Sequence, residues 1–416
     1  MAKKDKSYYN EVQMVDSNKD YYLKQIQDML KNKTYSLTSD DYTMFKKNDK
    51  GKVREIYKLD YFPHRIIQWA LMLQIQDILF DTFVDNTFSS IPERGIHLCL
   101  QRLDRDLKNY PNETKYCLKM DVKKFYPSIN HKINKRQWNR KFKDKDLLWL
   151  VFMLIDSMEG DRGIAIGSLF SQWDGNFHLT PFDHWLKEDM KVKFVYRYCD
   201  DVVILGNNKE WLHYLRREIQ NYLKDELDLT LKENYQVFPV DIRGIDFVGY
   251  RHFRNYILLR KSTAKNLIRK MRNIMRKLEN GGRLTYSEWC SINSYKGWIK
   301  WCNGYNLYNK WIEPLEPYCE KYYKEVIKTD KSIGKIIDCK TSKVFQYGYN
   351  SIEIDNKGNI ISIVVGDSRG GARFEGKEIT KNILIDVYNV LKHEENHLAE
   401  DCFRCMNQNW RNKLIL

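Results

Sequence analysis

The sequence has no apolar run that approaches the roughly 18 residues needed for a transmembrane helix, so we expect no membrane partner. Behind the lysines of the amino-terminal MAKKDKSYYN there is no apolar stretch, so no secretory signal is expected either. The nine cysteines are odd in number and scattered, which argues against a disulfide framework. Reduced thiols and a cytoplasmic location are therefore predicted.

Acidic residues are too few to balance the basic ones: 55 Asp and Glu stand against 70 Lys and Arg, giving a net charge of +15. A surplus of this size suits a polyanionic partner, because neutralised phosphates release counterions. The alternative is a surface that is basic only because the whole chain is rich in lysine. Aromatic residues make up 14% of the chain, and most of them must be core, although nucleobases can stack on exposed rings.

Local patterns predict the first helices and strands. Polar capping residues and amphipathic spacing predict a helix over 17–32, and apolar spacing predicts another from about Pro63 to Phe83. Between them, residues 46–60 are typical of a β-hairpin with Asn48-Asp49-Lys50-Gly51 in its turn.

From residue 116 onward, short apolar strands alternate with helical stretches, which is typical of an α+β fold with a mostly antiparallel sheet. Residues 262–325 return to helical spacing, interrupted once by Gly281-Gly282. Beyond 330, a small hairpin with Asn356-Lys357-Gly358 in its turn is expected, followed by a terminal helix.

Three aspartates occupy positions that suggest chemistry. In FVYRYCDDVVIL, two β-rich runs flank Asp200 and Asp201, which places both at the tip of a predicted hairpin. Asp is also a common turn residue, so this pair alone fits a plain turn as well as it fits catalysis. Asp121 ends a second apolar strand, YCLKMDV, where an unpaired buried charge would be costly.

Phosphoryl transfer gives such carboxylates a task. Two Mg²⁺ ions roughly 4 Å apart activate the attacking oxygen and neutralise the leaving group, and hard oxygen ligands hold such ions. We expect Asp121 and Asp200 to bridge both ions, with Asp201 beside them and the backbone carbonyl of Val122 as a further ligand. Mn²⁺ is an expected substitute for Mg²⁺.

Five segments resemble those of reverse transcriptases in type, order and spacing. They are DVKKFYPSI at 121–129, GIAIGSLFSQ at 163–172, FVYRYCDDVVIL at 194–205, RGIDFVGYRHF at 243–253 and SYKGWIKWCNGYNL at 294–307. The resemblance covers about residues 50–325 and implies an RNA-directed DNA polymerase, which is a nucleotidyltransferase with a right-hand polymerase fold. It implies fingers and palm over 1–250, a helical thumb over 251–325 and a small C-terminal appendage over 326–416.

The same resemblance assigns roles around the carboxylates. Tyr126 stands where the family has an aromatic steric gate that favours deoxynucleotides, and a core tyrosine is the alternative. Lys232 stands where the family has a lysine near the leaving pyrophosphate, which could act as a general acid. The resemblance implies that the dNTP is contacted by Lys52, Arg54, Ile166, Gly167 and Gln172. It implies that primer and template are contacted by Tyr198 and Gly249. Arg65 and Arg94 also fall in fingers segments, and Lys52 fits a solvated hairpin face equally well.

One position departs from relatives associated with group II introns, which carry Pro-Gln-Gly where this sequence has Ala165-Ile166-Gly167. Isoleucine thus replaces a glutamine that contacts the nascent base pair. This version resembles the enzymes of diversity-generating retroelements and the bacterial defence-associated reverse transcriptases. The resemblance implies a structured non-coding RNA as template, deoxynucleotides as substrates, a DNA product and a role in antiviral defence.

The carboxyl-terminal tail contains four zinc-ligand residue types, His393, His397, Cys402 and Cys405. On one continuous helix they would not share a face, so a metal site would require a break near 399–401. We expect a helix surface followed by buried cysteines, and no structural zinc.

Other functions remain open at the level of sequence. An RNA-dependent RNA polymerase shares the paired aspartates, but the bulk of Tyr126 argues against ribonucleotides. A non-catalytic RNA-binding scaffold is disfavoured by the intact aspartates. Template-independent or protein-primed DNA synthesis is not excluded in a chain with 28 tyrosines, and the oligomeric state is open.

Overall fold

The computed structural model describes residues 2–3, 6, 9–49, 52–323, 335–338, 342–347, 350–357, 359–367, 370–375, 379, 381–391, 402, 406 and 410. Two compact units divide the chain: unit 1 comprises Met1–Ala2 and Asn10–Arg260, and unit 2 comprises Lys3–Tyr9 and Lys261–Leu416. The assignment of fingers, palm and thumb to ranges within these units stays a prediction.

Unit 1 combines helices with three small sheets. Its helices are α1 (Asn10–Ser17), α2 (Lys19–Lys31), α3 (Ile66–Phe80), α4 (Ile96–Asn109), α5 (Phe125–Ser128), α6 (His131–Lys141), α7 (Lys145–Asp156), α8 (Leu169–His178), α9 (Thr180–His184), α10 (Lys209–Leu227) and α11 (Val240–Arg243). Its strands are β1 (Thr43–Asp49), β2 (Lys52–Lys58), β3 (Tyr116–Asp121), β4 (Phe194–Tyr198), β5 (Asp201–Gly206), β6 (Gln236–Pro239), β7 (Ile245–Phe247), β8 (Tyr250–His252) and β9 (Ile257–Leu259).

A helical core lies around α3. The helical period brings Ile67, Leu71, Ile75 and Leu79 to one buried face, which packs with residues of α2, α7 and α8. The neighbouring α6 and α7 start where a side chain caps the free backbone N–H groups: Asn130 accepts from Lys132 and Ile133, and Asp144 from Asp146 and Leu147.

A four-stranded antiparallel sheet in the order β4-β5-β3-β6 carries the predicted catalytic aspartates. Its central strand β5 is buried on both faces. Val202 and Ile204 join a core that includes α10, and Val203 and Leu205 join a core that includes α4. Because helices cover both faces, the strand reads as a continuous apolar run, and its polar residues are confined to its ends.

A three-stranded antiparallel sheet, β7-β8-β9, ends unit 1. Phe247 pairs with Tyr250 around a two-residue turn in which Val248 and Gly249 both have positive φ, 43° and 89°. This is the pattern of a type I′ turn, whose twist matches that of the strands it joins.

Unit 2 contains helices followed by a sheet. The helices are α12 (Lys261–Glu279), α13 (Tyr286–Ile299), α14 (Tyr305–Trp311), α15 (Glu316–Tyr322) and α16 (Lys381–Leu391). The strands β10 (Lys335–Asp338), β11 (Ser342–Tyr347), β12 (Asn350–Asp355), β13 (Ile360–Asp367) and β14 (Gly370–Glu375) form one antiparallel sheet in sequence order. α16 packs on β11, β12 and β13 over a core that includes Phe345, Ile352, Ile363 and Leu384.

The α+β class and the main predicted elements are confirmed, with corrections at the margins. The helix predicted over 17–32 is confirmed as α2, and α1 before it was not predicted. Lys50 and Gly51 of the first predicted turn lie outside the described residues. The small hairpin expected beyond 330 is wrong in extent, since β12 and β13 belong to a five-stranded sheet. Strand β14, GGARFE, lacks the apolar alternation by which a strand is recognised. In the described part of the chain, no helix is long and apolar enough to cross a membrane.

Candidate active site

The turn between β4 and β5 presents the first carboxylate. Tyr198 pairs with Asp201 across the hairpin, so Cys199 and Asp200 form a two-residue turn. Cys199 has a φ of 58° and Asp200 has no positive φ, which is the pattern of a type II′ turn. A residue with a Cβ is strained by about 1–3 kcal/mol in that conformation. Surrounding contacts must therefore hold this turn.

Asp121 meets Asp200 from the end of β3. Asp121 is the register partner of Asp201, and the N–H of Val122, itself buried, donates to the carbonyl of Asp200 at 3.3 Å. The side chains of Asp121 and Asp200 lie close enough to share a hydrogen bond. Burial, and then the charge of Asp121, raises the pKa of Asp200. Two partly desolvated carboxylates thus lie next to each other.

Lys232 is brought to the same point by the segment after α10. The N–H of Lys232 donates to the carbonyl of Asp121 at 2.9 Å, and its Nζ lies 2.5 Å from Oδ1 of Asp121. A bridge between Val122 and Leu231 holds the two segments side by side. The structure therefore places the ammonium group of Lys232 against the carboxylate pair.

Asp201 has a different environment. Its Oδ2 lies 3.6 Å from Nζ of Lys119, and its buried Oδ1 has no hydrogen-bond partner among the described residues. Burial raises the pKa of Asp201 to about 6, while the charge of Lys119 opposes that rise. Lys119 also donates to the backbone carbonyl of Asp246, so its position is fixed from two sides. The sequence interpretation did not single out Lys119.

The carboxylates fit a divalent cation by their chemistry. Among the described residues there is no group of three or more His, Cys, Asp and Glu arranged to hold a metal ion. Asp121 and Asp200 nevertheless offer hard anionic oxygens, which Mg²⁺ prefers, and the charge of one raises the pKa of the other. A cation bound by the pair would relieve that repulsion. Nearby, Asp201 adds a buried oxygen that has no hydrogen-bond partner among the residues the structure describes.

Tyr126 lies beside the turn and is held at both ends of its ring. The thiol of Cys199 donates to the Tyr126 hydroxyl at 3.4 Å. At the ring edge, a Cβ on Gly175 would lie only 3.1 Å from Cε1 of Tyr126, so glycine allows the ring to approach α8. Burial, and then the neighbouring Cys199, raises the pKa of Tyr126 well above its usual value, so its hydroxyl is neutral. Neither Cys199 nor Gly175 was selected from the sequence as a support for Tyr126.

A buried arginine holds the turn in place through a hydrogen bond to its backbone. Arg197, only 1% exposed, donates through Nε to both oxygens of Asp183 at 2.7 and 2.9 Å. Its Nη1 donates to the carbonyl of Cys199 at 3.0 Å and to Asn176 at 3.1 Å, and Thr87 donates to Asp183. Bidentate pairing satisfies the buried charge and gives the network a single geometry. Sequence reasoning missed Arg197, although a charged residue within the strand FVYRY was the available signal.

The Gly-rich segment holds the first hairpin through its backbone. The N–H of Tyr57 in β2 donates to the carbonyl of Ile166 at 2.8 Å. Gly167 has a φ of 112°, and a Cβ there would lie 2.9 Å from the carbonyl oxygen of Tyr57. Only glycine fits both the conformation and the close approach. Ile166 and Gly167 are therefore docking points for β2, a role that the sequence did not reveal.

The other predicted residues lie on β2, α8, β4 and the β7–β8 turn. Arg54 is exposed on β2, and Gln172 is exposed on α8. Tyr198 is half-buried next to the turn and bonded to Ser89. Gly249 accepts from the N–H of Arg260 at 3.0 Å at the β7–β8 turn.

The side chain of Lys52 lies outside the described residues. Of the two further fingers arginines, Arg94 donates to the carbonyls of Val84 and Thr87 and stacks over Phe80, which is a structural role. Arg65 donates to the carbonyl of Ala2 at 3.1 Å.

In the tail, Cys402 is buried, and His393, His397 and Cys405 lie outside the described residues, so the zinc prediction remains untested. The cysteines recorded as free thiols in the described part are Cys99, Cys117, Cys199, Cys290, Cys302, Cys319 and Cys402.

Comparison with known proteins identifies the domain that carries this site. Residues 45–251, about half of the chain, match the family model described as reverse transcriptase (RNA-dependent DNA polymerase). This range contains the carboxylate pair, Lys232, Tyr126 and the Arg197 network. No curated protein sequence matches the chain.

Solved telomerase structures are similar to the chain at low identity. Apo telomerase from Candida tropicalis has a TM-score of 0.42 and 13% identity, with 62% of this chain and 53% of that chain covered. Telomerase from Candida albicans in complex with a fragment of telomeric RNA has a TM-score of 0.43 and 11% identity, with 68% and 58% covered. The chain thus spans little more than half the length of these telomerase chains.

Proposed function

Because residues 45–251 of this chain are a reverse transcriptase domain, we propose that the chain copies RNA into DNA with Asp121 and Asp200 as its catalytic carboxylates. The observation that carries the proposal is the meeting of these two carboxylates, from separate strands, with the ammonium of Lys232. The substrates are deoxynucleoside triphosphates, the template is RNA and the product is DNA.

Asp121 and Asp200 would hold Mg²⁺, or Mn²⁺ in its place, which when bound lowers the pKa of a primer 3′-hydroxyl and neutralises triphosphate charge. Asp201 and the Val122 carbonyl stand beside them as further oxygen ligands. Lys232, with its Nζ at 2.5 Å from Asp121, would hold the proton that the departing pyrophosphate takes up.

Tyr126 would select the sugar. Its ring is fixed between Cys199 and Gly175, so it cannot withdraw from a bulkier ribose without disturbing the turn. Lys52, Arg54, Ile166, Gly167 and Gln172 are proposed to line the nucleotide site, and Tyr198 and Gly249 the path of primer and template.

The test is the replacement of Asp200 by Asn, with Asp225→Asn on the exposed face of α10 as the matched control. We expect Asp200→Asn to lower dTTP incorporation on poly(rA) primed with oligo(dT) by at least about 100-fold. The fold, followed by circular dichroism, and the affinity for RNA should stay nearly unchanged, because the substitution preserves size. Full activity in Asp200→Asn would refute the polymerase proposal, whereas loss in Asp225→Asn as well would point to instability.

Within the family, we place the chain with the bacterial defence-associated and diversity-generating enzymes. The support is Ile166 in the Gly-rich segment, where a glutamine would offer a hydrogen-bonding amide. A structured non-coding RNA would then be the template, and protection against phage the biological role. Sequencing the nucleic acid that copurifies with the protein tests this placement. One abundant structured RNA and its cDNA are expected, and a random mixture of cellular RNA would contradict it.

A further inference from the structure

One helix of unit 1 has a uniformly basic surface. α6 carries five cations and no acidic residue in the sequence HKINKRQWNRK. Lys135 is neutralised by an ion pair with Asp156. Lys132, Arg136 and Arg140 are exposed, and no ion pair is found for them in the described part of the chain. We call these three residues the α6 basic face.

The orientation of the α6 basic face is fixed by buried contacts on the other side of the helix. Trp138 donates through Nε1 to Asp174 at 2.7 Å, and Asn134 donates to the other oxygen of Asp174 at 2.7 Å. Both side chains are fully buried. Because residues four apart lie above one another on a helix, Lys132, Arg136 and Arg140 form one row with about 6 Å of rise between neighbours.

Such a row of like charges opposes helix formation. Each like-charge pair at this spacing destabilises a helix by about 0.2–0.5 kcal/mol. The acidic residues that follow do not compensate, since Asp144 caps α7 and Asp146 pairs with Lys33. The positive charge of the α6 basic face is therefore not neutralised within the described part of the chain, and this favours an anionic partner.

Within unit 1 the basic character is specific to this helix, whereas in unit 2 the helix α12 carries seven basic residues and one acidic residue. α10, which is longer and also lies on the surface, carries four basic and four acidic residues. α2 and α4 likewise mix both signs, with ion pairs such as Lys24–Asp28 and Lys108–Asp104. α6 is thus the exception among the charged helices of the unit.

We propose that the α6 basic face binds the phosphate backbone of double-stranded RNA. Guanidinium groups match phosphate oxygens in a bidentate manner, and a lysine adds a point charge. The exposed residues of α6 include no aromatic ring on which an unpaired base could stack, which favours a duplex backbone over a single strand. RNA is chosen over DNA because it is the template polymer, so this choice rests on the proposed function.

The experiment uses the full chain and a blunt 20-base-pair RNA duplex of arbitrary sequence, which offers no primer end to extend into a template. Arg136→Gln/Arg140→Gln removes two charges from the α6 basic face, and glutamine keeps the helix propensity. Arg217→Gln/Lys224→Gln removes two exposed charges from α10 as the matched control. Arg136→Lys/Arg140→Lys retains the positive charge without the guanidinium group, so it tests whether charge alone is sufficient for binding.

We expect the α6 glutamine variant to bind the RNA duplex about tenfold or more weakly at 150 mM KCl. The slope of log affinity against log salt should fall by about two, since each phosphate contact contributes about 0.9. The α10 control should bind within about twofold of the parent, and the lysine variant should keep most of the slope. On a saturating RNA template the α6 glutamine variant should keep its kcat and show a raised KM for the template.

The proposal is overturned if the parent does not bind the duplex, if both glutamine variants weaken equally, or if neither does. An equal loss for a DNA duplex of the same sequence, or a loss seen only with anionic phosphatidylserine vesicles, also overturns it, because the partner is then not RNA. Circular dichroism and melting of each variant exclude unfolding as the cause. If the parent binds the duplex through α6 but incorporates no nucleotide, the proposed function fails while the RNA surface stands.

Discussion

At the scale of single residues, the position of Tyr126 depends on neighbours that have no chemical role of their own. Gly175 leaves room for the ring edge, and the Cys199 thiol binds the hydroxyl. The turn conformation of Cys199 is in turn held by Arg197. The side chain proposed to select the sugar is thus positioned by a glycine, a thiol and a buried ion pair.

Sugar selection should follow the ring and not the hydroxyl. Tyr126→Ala is expected to accept ribonucleotides at least about tenfold better than the parent, because steric exclusion is lost. Tyr126→Phe keeps the ring and loses only the weak bond to Cys199, so it should retain selectivity. Single-nucleotide incorporation of dTTP and UTP on one template measures both. A parent that already uses UTP as well as dTTP would remove the gate assignment.

Ile166 permits a prediction about fidelity. Its carbonyl binds the Tyr57 N–H through the backbone, so replacing the side chain leaves that contact in place. Ile166→Gln adds an amide that can reject misaligned pairs, and one hydrogen bond of about 0.5–1.5 kcal/mol corresponds to roughly a two- to tenfold effect. Misincorporation should fall accordingly, as measured by deep sequencing of cDNA from a defined RNA. Identical error spectra from two active enzymes would make Ile166 a packing residue only.

At the scale of elements, α6 and α8 are joined by a buried carboxylate. Asp174 is fully buried and accepts from Trp138 and Asn134. Burial raises the pKa of Asp174 to about 6, against which both hydrogen bonds act. The link between these helices is therefore expected to depend on pH.

The sign of that dependence can be tested with Asp174→Asn. Because the folded-state pKa is raised, the stabilising contribution of Asp174 is complete below about pH 4 and is lost as the pH rises through about 6. The variant does not ionise. Asn134, whose Oδ1 has no hydrogen-bond partner in the described part of the chain, can rotate to accept from the new amide. The free energy of unfolding of the variant minus that of the parent should therefore be about 1–3 kcal/mol larger at pH 7 than at pH 4. Urea denaturation at both pH values measures this, and a difference that does not vary with pH would contradict it.

At the scale of the whole molecule, the net charge of +15 makes stability depend on polyanions. A ligand that binds only the folded chain stabilises it by mass action, and counterion release makes RNA binding steeply salt-dependent. Added RNA should therefore raise the melting temperature at 50 mM KCl and have little effect at 500 mM KCl. Equal effects at both salt concentrations would show that the binding is not electrostatic.

Much of the fold was predictable from local patterns. The strands next to Asp121, Asp200 and Asp201 are short apolar runs bordered by charged residues, and all three, β3, β4 and β5, lie where they were predicted. Less regular strands were missed, because β6 is only four residues long and β14 contains two glycines and two charges among its six residues. Their pairing depends on neighbouring strands and not on their own residues.

The chemistry of the candidate site could be predicted from the sequence, because residue type, order and spacing along the chain are local properties. It indicated the aspartates, Lys232 and Tyr126 before any contact was known. The side chains that hold them in place became visible only in the folded chain: Asp183 lies 14 residues from Arg197, and Gly175 lies 49 residues from Tyr126. It also placed Lys119 beside Asp201, the register partner of Asp121. Burial and long-range packing set these contacts and pKa shifts, and neither can be obtained from spacing along the chain.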